Sequence, residues 1–513
     1  LHTRNLLSKG TTRPMAPSTN TPEPTDDRSE RERRQRARLS RTPSERAIVF
    51  TLALTGLTAA VMQTLVTPIT PELPTLLDTS SSNATWVLTA TLLAAAITTP
   101  ISGRLGDMFG KRRITLLLLA ITIVGSIVCA LAQDVTVLIA GRALQGVGLG
   151  VIALGISILR DVLHPKRLGA AVALVSSTLG IGGALGLPVA AFVADTFDWH
   201  VLFWMATALS ALAFVLVLWI IPVSTLRTGG SFDFIGAIGF GIGLVAILLA
   251  VSKGSEWGWA TPGTIGLFAG GAVVLIVWGV YELRASNPLI DLRIAARRPV
   301  LLTNLASITV GFAYFASVAV LPQLLEAPTD TGVGLGQTLF IASLCLMPSG
   351  IVMFFLSPIA ARLSASRGPR TSLVLGSFII AVGYVLAVGL MTEVWHAVLV
   401  ATAVGFGVGF AYAAMPTLIM HAVPASETAA ANGFNSVMRT LGSTIAAAVI
   451  GVILSSHVDI VGERAVPTAA AFQWSFGLAA AVALAGAILA LFLPRRETIY
   501  TTASIPIVTP GKD

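Results

Sequence analysis

The chain has 513 residues, of which 54% are hydrophobic and only 11% charged, and its mean hydropathy is +0.83. So few charges cannot clothe a soluble globule of this length, so an integral membrane protein is expected. The formal charge of +8 falls largely in the N-terminal tail and in short links beside apolar runs, which points to a membrane surface and away from nucleic acid.

Aromatic residues make up only 7%, and the apolar runs are long and rich in Ala, Leu, Gly and Val. That pattern suits helices and not the alternating ten-residue strands of a barrel, so the expected class is polytopic and all-α. Cys129 and Cys345 both fall inside apolar runs, where they act as small hydrophobes. There is no P-loop, no cluster of metal ligands and no nucleophile beside a base, so neither an enzyme nor a cofactor is expected. Transport would then run on an ion gradient.

In chain order, residues 1–46 are polar and then densely charged, and read as a disordered basic cytoplasmic tail. The tail has no apolar core of a signal peptide, and because the sequence begins at Leu1 the expected start is Met15. Its basic run is either merely solvated or drawn to an anionic leaflet, at roughly 1 kcal/mol per basic residue near the surface.

Fourteen spans follow, near 47–70, 84–102, 113–132, 135–158, 168–193, 201–221, 233–252, 263–282, 300–322, 337–360, 371–390, 396–419, 432–454 and 472–493. Even-numbered spans are followed by bases, among them Lys111, Arg112, Arg113, Lys166, Arg167, Arg362, Arg367 and Arg370. Odd-numbered spans are followed by acids such as Glu72, Asp78, Asp134, Asp195, Asp198, Glu326 and Glu393. Basic links belong on the cytoplasmic side, so both termini are expected inside.

An offset of 258 superimposes Pro100, Ile101, Arg104, Leu105, Gly110 and Arg112 on Pro358, Ile359, Arg362, Leu363, Gly368 and Arg370. Two parallel six-helix bundles are therefore expected at 47–221 and 299–494, with an inserted helix pair and linker at 222–298 and a cytoplasmic tail at 495–513. Halves of this kind about a central cavity are the plan of many secondary transporters.

The stretch GRLGDMFGKRR, from Gly103 to Arg113, reads as a tight loop at the membrane surface. It resembles the loop between the second and third helices of the major facilitator superfamily, matching at Gly103, Leu105, Asp107, Gly110, Lys111 and Arg112. RALQGVGLG, with Arg142, Gln145, Gly146 and Gly148, resembles that family's fourth-helix motif. FDFIGA at Phe232 and ELRASNPLIDLR from Glu282 resemble the flanks of the extra helix pair in the fourteen-helix drug:proton antiporter branch. ANGFNSVMRTLG, with Asn435 and Arg439, resembles its thirteenth helix.

Glycines 103 and 110 would let two helices and a loop approach closely. Asp107 could accept hydrogen bonds from a helix N-terminus or an arginine of the other half. The resemblance implies that Gly103, Asp107, Gly110, Lys111 and Arg112 form a latch for the outward-facing state; the plainer alternative is a loop that only fixes orientation.

Arg142 lies about seven residues into its span, roughly 10 Å deep at 1.5 Å per residue. A lone guanidinium there costs roughly 2.5–3.5 kcal/mol or more, so it should face a wet cavity or a partner. The resemblance implies a part in proton movement for Arg142, the plainer alternative being a purely structural hydrogen bond to backbone carbonyls, and Arg439 is expected as a second such residue, unless it snorkels to the cytoplasmic end. In the fifth span, Gly182, Gly186 and Pro188 approximate the glycine- and proline-rich motif of antiporters, although Leu187, Ala191 and Phe192 depart from it.

One departure bears on coupling: where this branch carries an aspartate in its first helix, the present chain has Met62, followed by Gln63. No acid falls in the middle third of any span. Glu72, between Pro71 and Leu73, is the first candidate proton carrier, provided that desolvation raises its pKa. The expected cavity is apolar with neutral polar spots, lined by Gln63, Thr64, Thr67, Gln145, Asn304, Tyr314, Phe315, Gln323, Met347 and Asn435.

The expected function is export of drugs or hydrophobic or amphiphilic metabolites across a bacterial plasma membrane in exchange for protons, by a monomer in contact with lipid. A uniporter or symporter of a small neutral metabolite remains open because the first-helix acid is missing. A non-transporting sensor on the same scaffold is the third reading, disfavoured because a sensor needs neither latch nor Arg142.

Overall fold

The computed structural model describes residues 44–70, 72–223, 229–461 and 464–494. Of the expected tails, only residues 44–46 fall among the described residues, and residues 1–43 and 495–513 lie outside them.

Span one is Glu45–Thr64, opened by Ser44, whose hydroxyl accepts the Ala47 N–H at 3.2 Å. The apolar run continues to residue 70, but the helix stops at Thr64. Pro68 has no N–H to give to the Thr64 carbonyl and disfavours helical geometry at Thr67. Span two, Ser81–Phe109, runs well past the expected residue 102. The stretch read as a loop is therefore mostly helix.

Gly110 alone turns the chain, at φ +106°, and span three starts at once as Lys111–Ala130. That backbone geometry is open to glycine and strained for other residues. Gly368 does the same at φ +88° between Ser357–Arg367 and Pro369–Gly389, 258 residues later. Arg112 donates to the Leu218 carbonyl, and Arg370 donates to the Leu491 carbonyl at 2.5 Å. The repeat is thus carried in three dimensions, each arginine tying the third helix of its half to the sixth.

Span four is broken into Val135–Val147, a tight 3-10 turn at Gly148–Gly150 and Val151–Val162. Spans five and six are Pro165–Thr196 and His200–Ile220. The inserted pair is Phe234–Trp257 and Pro262–Glu282, followed by span nine at Arg298–Glu326. Span ten is Leu339–Phe355 joined to Ser357–Arg367 at a 42° bend. Spans eleven to fourteen are Pro369–Gly389, Val394–Ala422, Thr428–Ser456 and Ala469–Leu491. Among the described residues thirteen helices are long and apolar enough to cross a bilayer, and the bent pair makes a fourteenth. A hairpin absent from the sequence reading, Val458–Val461 paired antiparallel with Arg464–Pro467, links the last two spans.

Spans one to six and spans nine to fourteen each bury a core, the second around Tyr384, Phe472 and Phe476, and Met420 and Ala429 of the second half join the core of the first. In lipid, apolar side chains gain little by leaving the solvent, so association rests on close packing at small residues. Span seven lies against both halves, with Phe240, Leu244 and Leu248 packed among Ala96 of span two and Val437 of span thirteen. Span eight turns Val273, Ile276, Val277 and Val280 outward, as a lipid-facing helix should.

Candidate functional site

The two halves meet backbone to backbone at mid-span, where a β-carbon on Gly350 of span ten would stand 2.1 Å from the Gly180 carbonyl oxygen of span five, and again near the end of the bundle that carries Gly110 and Gly368. A β-carbon on Gly103 would stand 2.6 Å from the Ala429 carbonyl oxygen, and one on Gly433 would stand 2.9 Å from that of Thr99. Spans two and thirteen therefore cross backbone to backbone. This contact sets Asp107, 1% exposed, over the N-terminus of span thirteen, where its Oδ2 accepts the Ala430 N–H at 3.0 Å. The helix dipole and the amide both favour a negative charge there.

Lys111 is buried beneath, with its Nζ 2.7 Å from Asp161 Oδ2 and 3.8 Å from Asp107 Oδ1. The residue before Asp161 in span four, Arg160, reaches across to the other half, donating to Thr428 Oγ1 at 2.5 Å, to Val423 O at 3.2 Å and to Pro424 O at 3.3 Å. Glu427 sits within electrostatic range of Arg104 and Arg297. A set of charges from spans two, three and four thus grips the link between spans twelve and thirteen.

Two expectations change here. Arg112 was placed in the latch but turns away to the Leu218 carbonyl of its own half. Arg160 and Thr428 were missed, although a basic and an acidic residue side by side at the end of an apolar span were a usable signal.

Arg142 does not face a wet cavity. It is 1% exposed, and it donates to Met62 O at 2.8 Å, Gln145 Oε1 at 2.7 Å and Val87 O at 3.4 Å. Gln145, expected to line the cavity, is equally buried and gives its Nε2 hydrogens to Ser126 Oγ at 2.8 Å and toward Met62 Sδ at 3.8 Å. The guanidinium is thus satisfied by carbonyl oxygens from spans one and two and by the Gln145 side chain, and the Met62 sulfur lies on the far side of that amide. An internal void of about 10 Å³ lies among Thr55, Thr58, Met62, Thr122 and Gln145, room for at most one water.

Arg439 lies eleven residues into span thirteen, roughly 16 Å from its start. It does not snorkel to the end. Its guanidinium lies 4.9 Å from the centroid of the Tyr412 ring and donates to Ser436 Oγ at 2.9 Å, with Asn435 Oδ1 at 3.5 Å. Tyr412 in turn meets Tyr314 edge to face at 6.2 Å. Tyr314 projects from span nine to the other half, its hydroxyl 3.4 Å from where a β-carbon of Gly183 would be.

Asn435 and Asn304, both expected as liners, are buried and bonded to each other at 2.8 Å, and Asn435 also donates to Ser307 at 2.7 Å. They tie spans nine and thirteen together. Gln63, Thr67 and Gln323 are exposed, while Thr64, Phe315 and Met347 are partly buried. Thr64 packs on Gly186, and Ala60 on Gly182, so the span five glycines serve the contact with span one, while Pro188 sits inside the same helix. Glu72 is exposed at the cap of Leu73–Leu76, so it lacks the burial that its expected proton-carrying role requires. A larger opening of about 460 Å³ lies on the outer face of spans one, five and six, among Val61, Leu65, Leu185, Val189, Met205 and Leu212.

The sequence profile described as "Major Facilitator Superfamily" matches residues 52–447 and 329–506. "Multidrug resistance protein Stp" of Mycobacterium tuberculosis is 28% identical over 393 residues, covering 74% of this chain and 71% of that protein. "Multidrug resistance protein 3" of Bacillus subtilis is 25% identical over 373 residues, covering 72% of each. Among solved structures, a human organic anion transporter superimposes with a TM-score of 0.61 at 15% identity, over 87% of this chain and 100% of that one. A proton:xylose symporter gives 0.59 at 15% identity, over 87% and 95%.

Proposed function

Because this chain belongs to the major facilitator superfamily, a family of membrane transporters and not of enzymes, we propose that it exports drugs or amphiphilic metabolites across a bacterial plasma membrane in exchange for protons. The relatives named for multidrug resistance support the substrate class. The observation that carries the mechanism is the grip across the halves, Asp107 on Ala430 and Arg160 on Thr428, all at one end of the bundle. A bond set confined to one end can break without dismantling either half, which is what alternating access requires.

In this reading the basic links put that end, and both termini, in the cytoplasm. The structure is then the form closed to the cytoplasm, the protein works as a monomer, and residues 47–221 and 299–494 move as the two rocking units. Exchange of protons would draw on acids at the span ends, since Met62 occupies the place of the first-helix acid.

A second reading, uniport or symport of a neutral metabolite, is favoured by one observation: every described acid lies in a link or in the terminal turn of a span. The two are separated in inverted, energised membrane vesicles given a panel of amphiphilic drugs. Drug-induced proton release by the intact protein, reduced in Asp107→Asn and lost in Arg142→Ala, supports antiport. Uptake of a labelled compound with no proton movement overturns antiport and puts the second reading first.

A further inference from the structure

We infer, resting on the export reading above, that the preferred substrate is an amphiphile bearing a carboxylate, and that Arg439 is the group that receives it. The argument starts from an imbalance. Among the described residues, no carboxylate lies within ion-pair distance of Arg439, and none lies in the middle of any span. The charge is held at mid-depth by the Tyr412 ring and two neutral oxygens alone.

A guanidinium has five N–H donors, and only two hydrogen bonds occupy those of Arg439. Arg439 is partly exposed and its Nε makes no hydrogen bond, so one edge of the guanidinium is both unpartnered and accessible. Arg142 differs, being closed in by three oxygens of its own half. Of the two deep arginines, only Arg439 is placed to take a ligand.

Its surroundings fit an anion on an apolar body. The Tyr412 ring holds the guanidinium at 4.9 Å from its centroid, and the unbonded Nε edge leaves room for the fork geometry that suits a carboxylate. Tyr314, edge-on to Tyr412 and reaching the Gly183 backbone of the other half, supplies aromatic surface and a hydroxyl beside it. A cationic substrate would meet a fixed positive charge with no acid to offset it, which disfavours it.

The test uses the full-length protein in proteoliposomes of neutral lipid, with three fluorescent probes sharing one apolar body: a carboxylate, its methyl ester and a trimethylammonium analogue. Intact protein should prefer the carboxylate, and Arg439→Gln should raise KM for it by about tenfold or more, as expected for a charged hydrogen bond, with the ester changed little. Arg439→Lys should fall between, keeping charge and losing the fork. Should Arg439→Gln not be recovered folded, Arg439→Lys and direct competition between carboxylate and ester on the intact protein carry the same comparison.

Equal losses for carboxylate and ester would mark Arg439 as structural and overturn the inference. Transport of the ester or the ammonium analogue without the carboxylate would overturn it while leaving export standing. Transport of none of the three would overturn the export reading and this inference with it. If negatively charged phospholipid added to the liposomes abolished carboxylate transport by competing at Arg439, the ligand would be a lipid headgroup and the inference, as stated for a free amphiphile, would fall.

Discussion

Asp107 and Ala430 stand 323 residues apart in sequence, yet the carboxylate of one accepts the backbone N–H of the other at 3.0 Å. Both belong to helices whose backbones touch at Gly103, so the bond forms only while that end of the bundle is shut. Its worth follows from its type. A hydrogen bond to a charged group contributes about 1.5–3 kcal/mol, enough to shift a two-state equilibrium by about tenfold to a hundredfold.

Asp107→Ala removes the acceptor and leaves Lys111 with Asp161 alone. The expected order of transport is intact protein, then Asp107→Asn, which keeps an oxygen without the charge, then Asp107→Ala, lower by about tenfold or more. Spin labels on Lys166 and Ala425, exposed residues on the two sides of the contact, should report longer distances in the same order. Unchanged distances with lost transport would assign Asp107 a different role.

Gly103→Val should act on the same equilibrium by sterics, because the added β-carbon has no room against Ala429. The variant is expected to fold with that end held open and to fail in transport, with the label distances lengthened as in Asp107→Ala. Gly169→Ala is the control: nothing lies within 4 Å of its added carbon, and it should behave as the intact protein.

Met62 and Arg142 are predicted to couple. The Met62 sulfur already lies 3.8 Å from Gln145 Nε2, and Gln145 accepts from Arg142. Met62→Asp should therefore be tolerated beside the arginine, whereas Met62→Asp combined with Arg142→Leu buries a carboxylate with no partner. Thermal unfolding in detergent should give a coupling of about 1–3 kcal/mol in a double-mutant cycle. Additive effects would mean that the two side chains do not share a site.

The inserted pair supplies a pH-dependent prediction. Glu256, just beyond the spanning stretch Phe234–Gly254, accepts from Lys253 Nζ at 2.7 Å and from the Ser82 hydroxyl, joining the insertion to span two. These hydrogen bonds, the Lys253 one foremost, hold the Glu256 carboxyl below the usual carboxylate range. A depressed pKa stabilises the folded form above the ordinary value, and that contribution is lost as pH falls through the depressed one. Protease sensitivity of the segment 255–262 should rise modestly below that range, and Glu256→Gln should remove the dependence while showing the raised sensitivity at neutral pH. The effect is small because the pair is partly exposed and screened.

Much of the plan was legible along the chain. Composition required a membrane, spacing of apolar runs returned fourteen spans, and the offset of 258 located Gly110 and Gly368, which the backbone then uses in the same way. These are local properties: hydrophobic length and the φ > 0 turn depend on residues near one another. The limits of helices were less legible, because GRLGDMF carries polar residues that a buried helix end can hold only when another helix covers them. Thr428 to Ala430 provide that cover.

The roles of the charged residues were decided by tertiary structure alone. Lys111 and Arg112 are adjacent and chemically alike, yet one is sealed between two carboxylates and the other caps a carbonyl of span six. Arg142 and Arg439 are both deep arginines in apolar helices, yet one is closed by carbonyls and the other lies open on a tyrosine. A sequence states that a charge enters the membrane; what satisfies it is supplied by helices hundreds of residues away, and the energy of a buried charge depends on those neighbours more than on anything beside it in the chain.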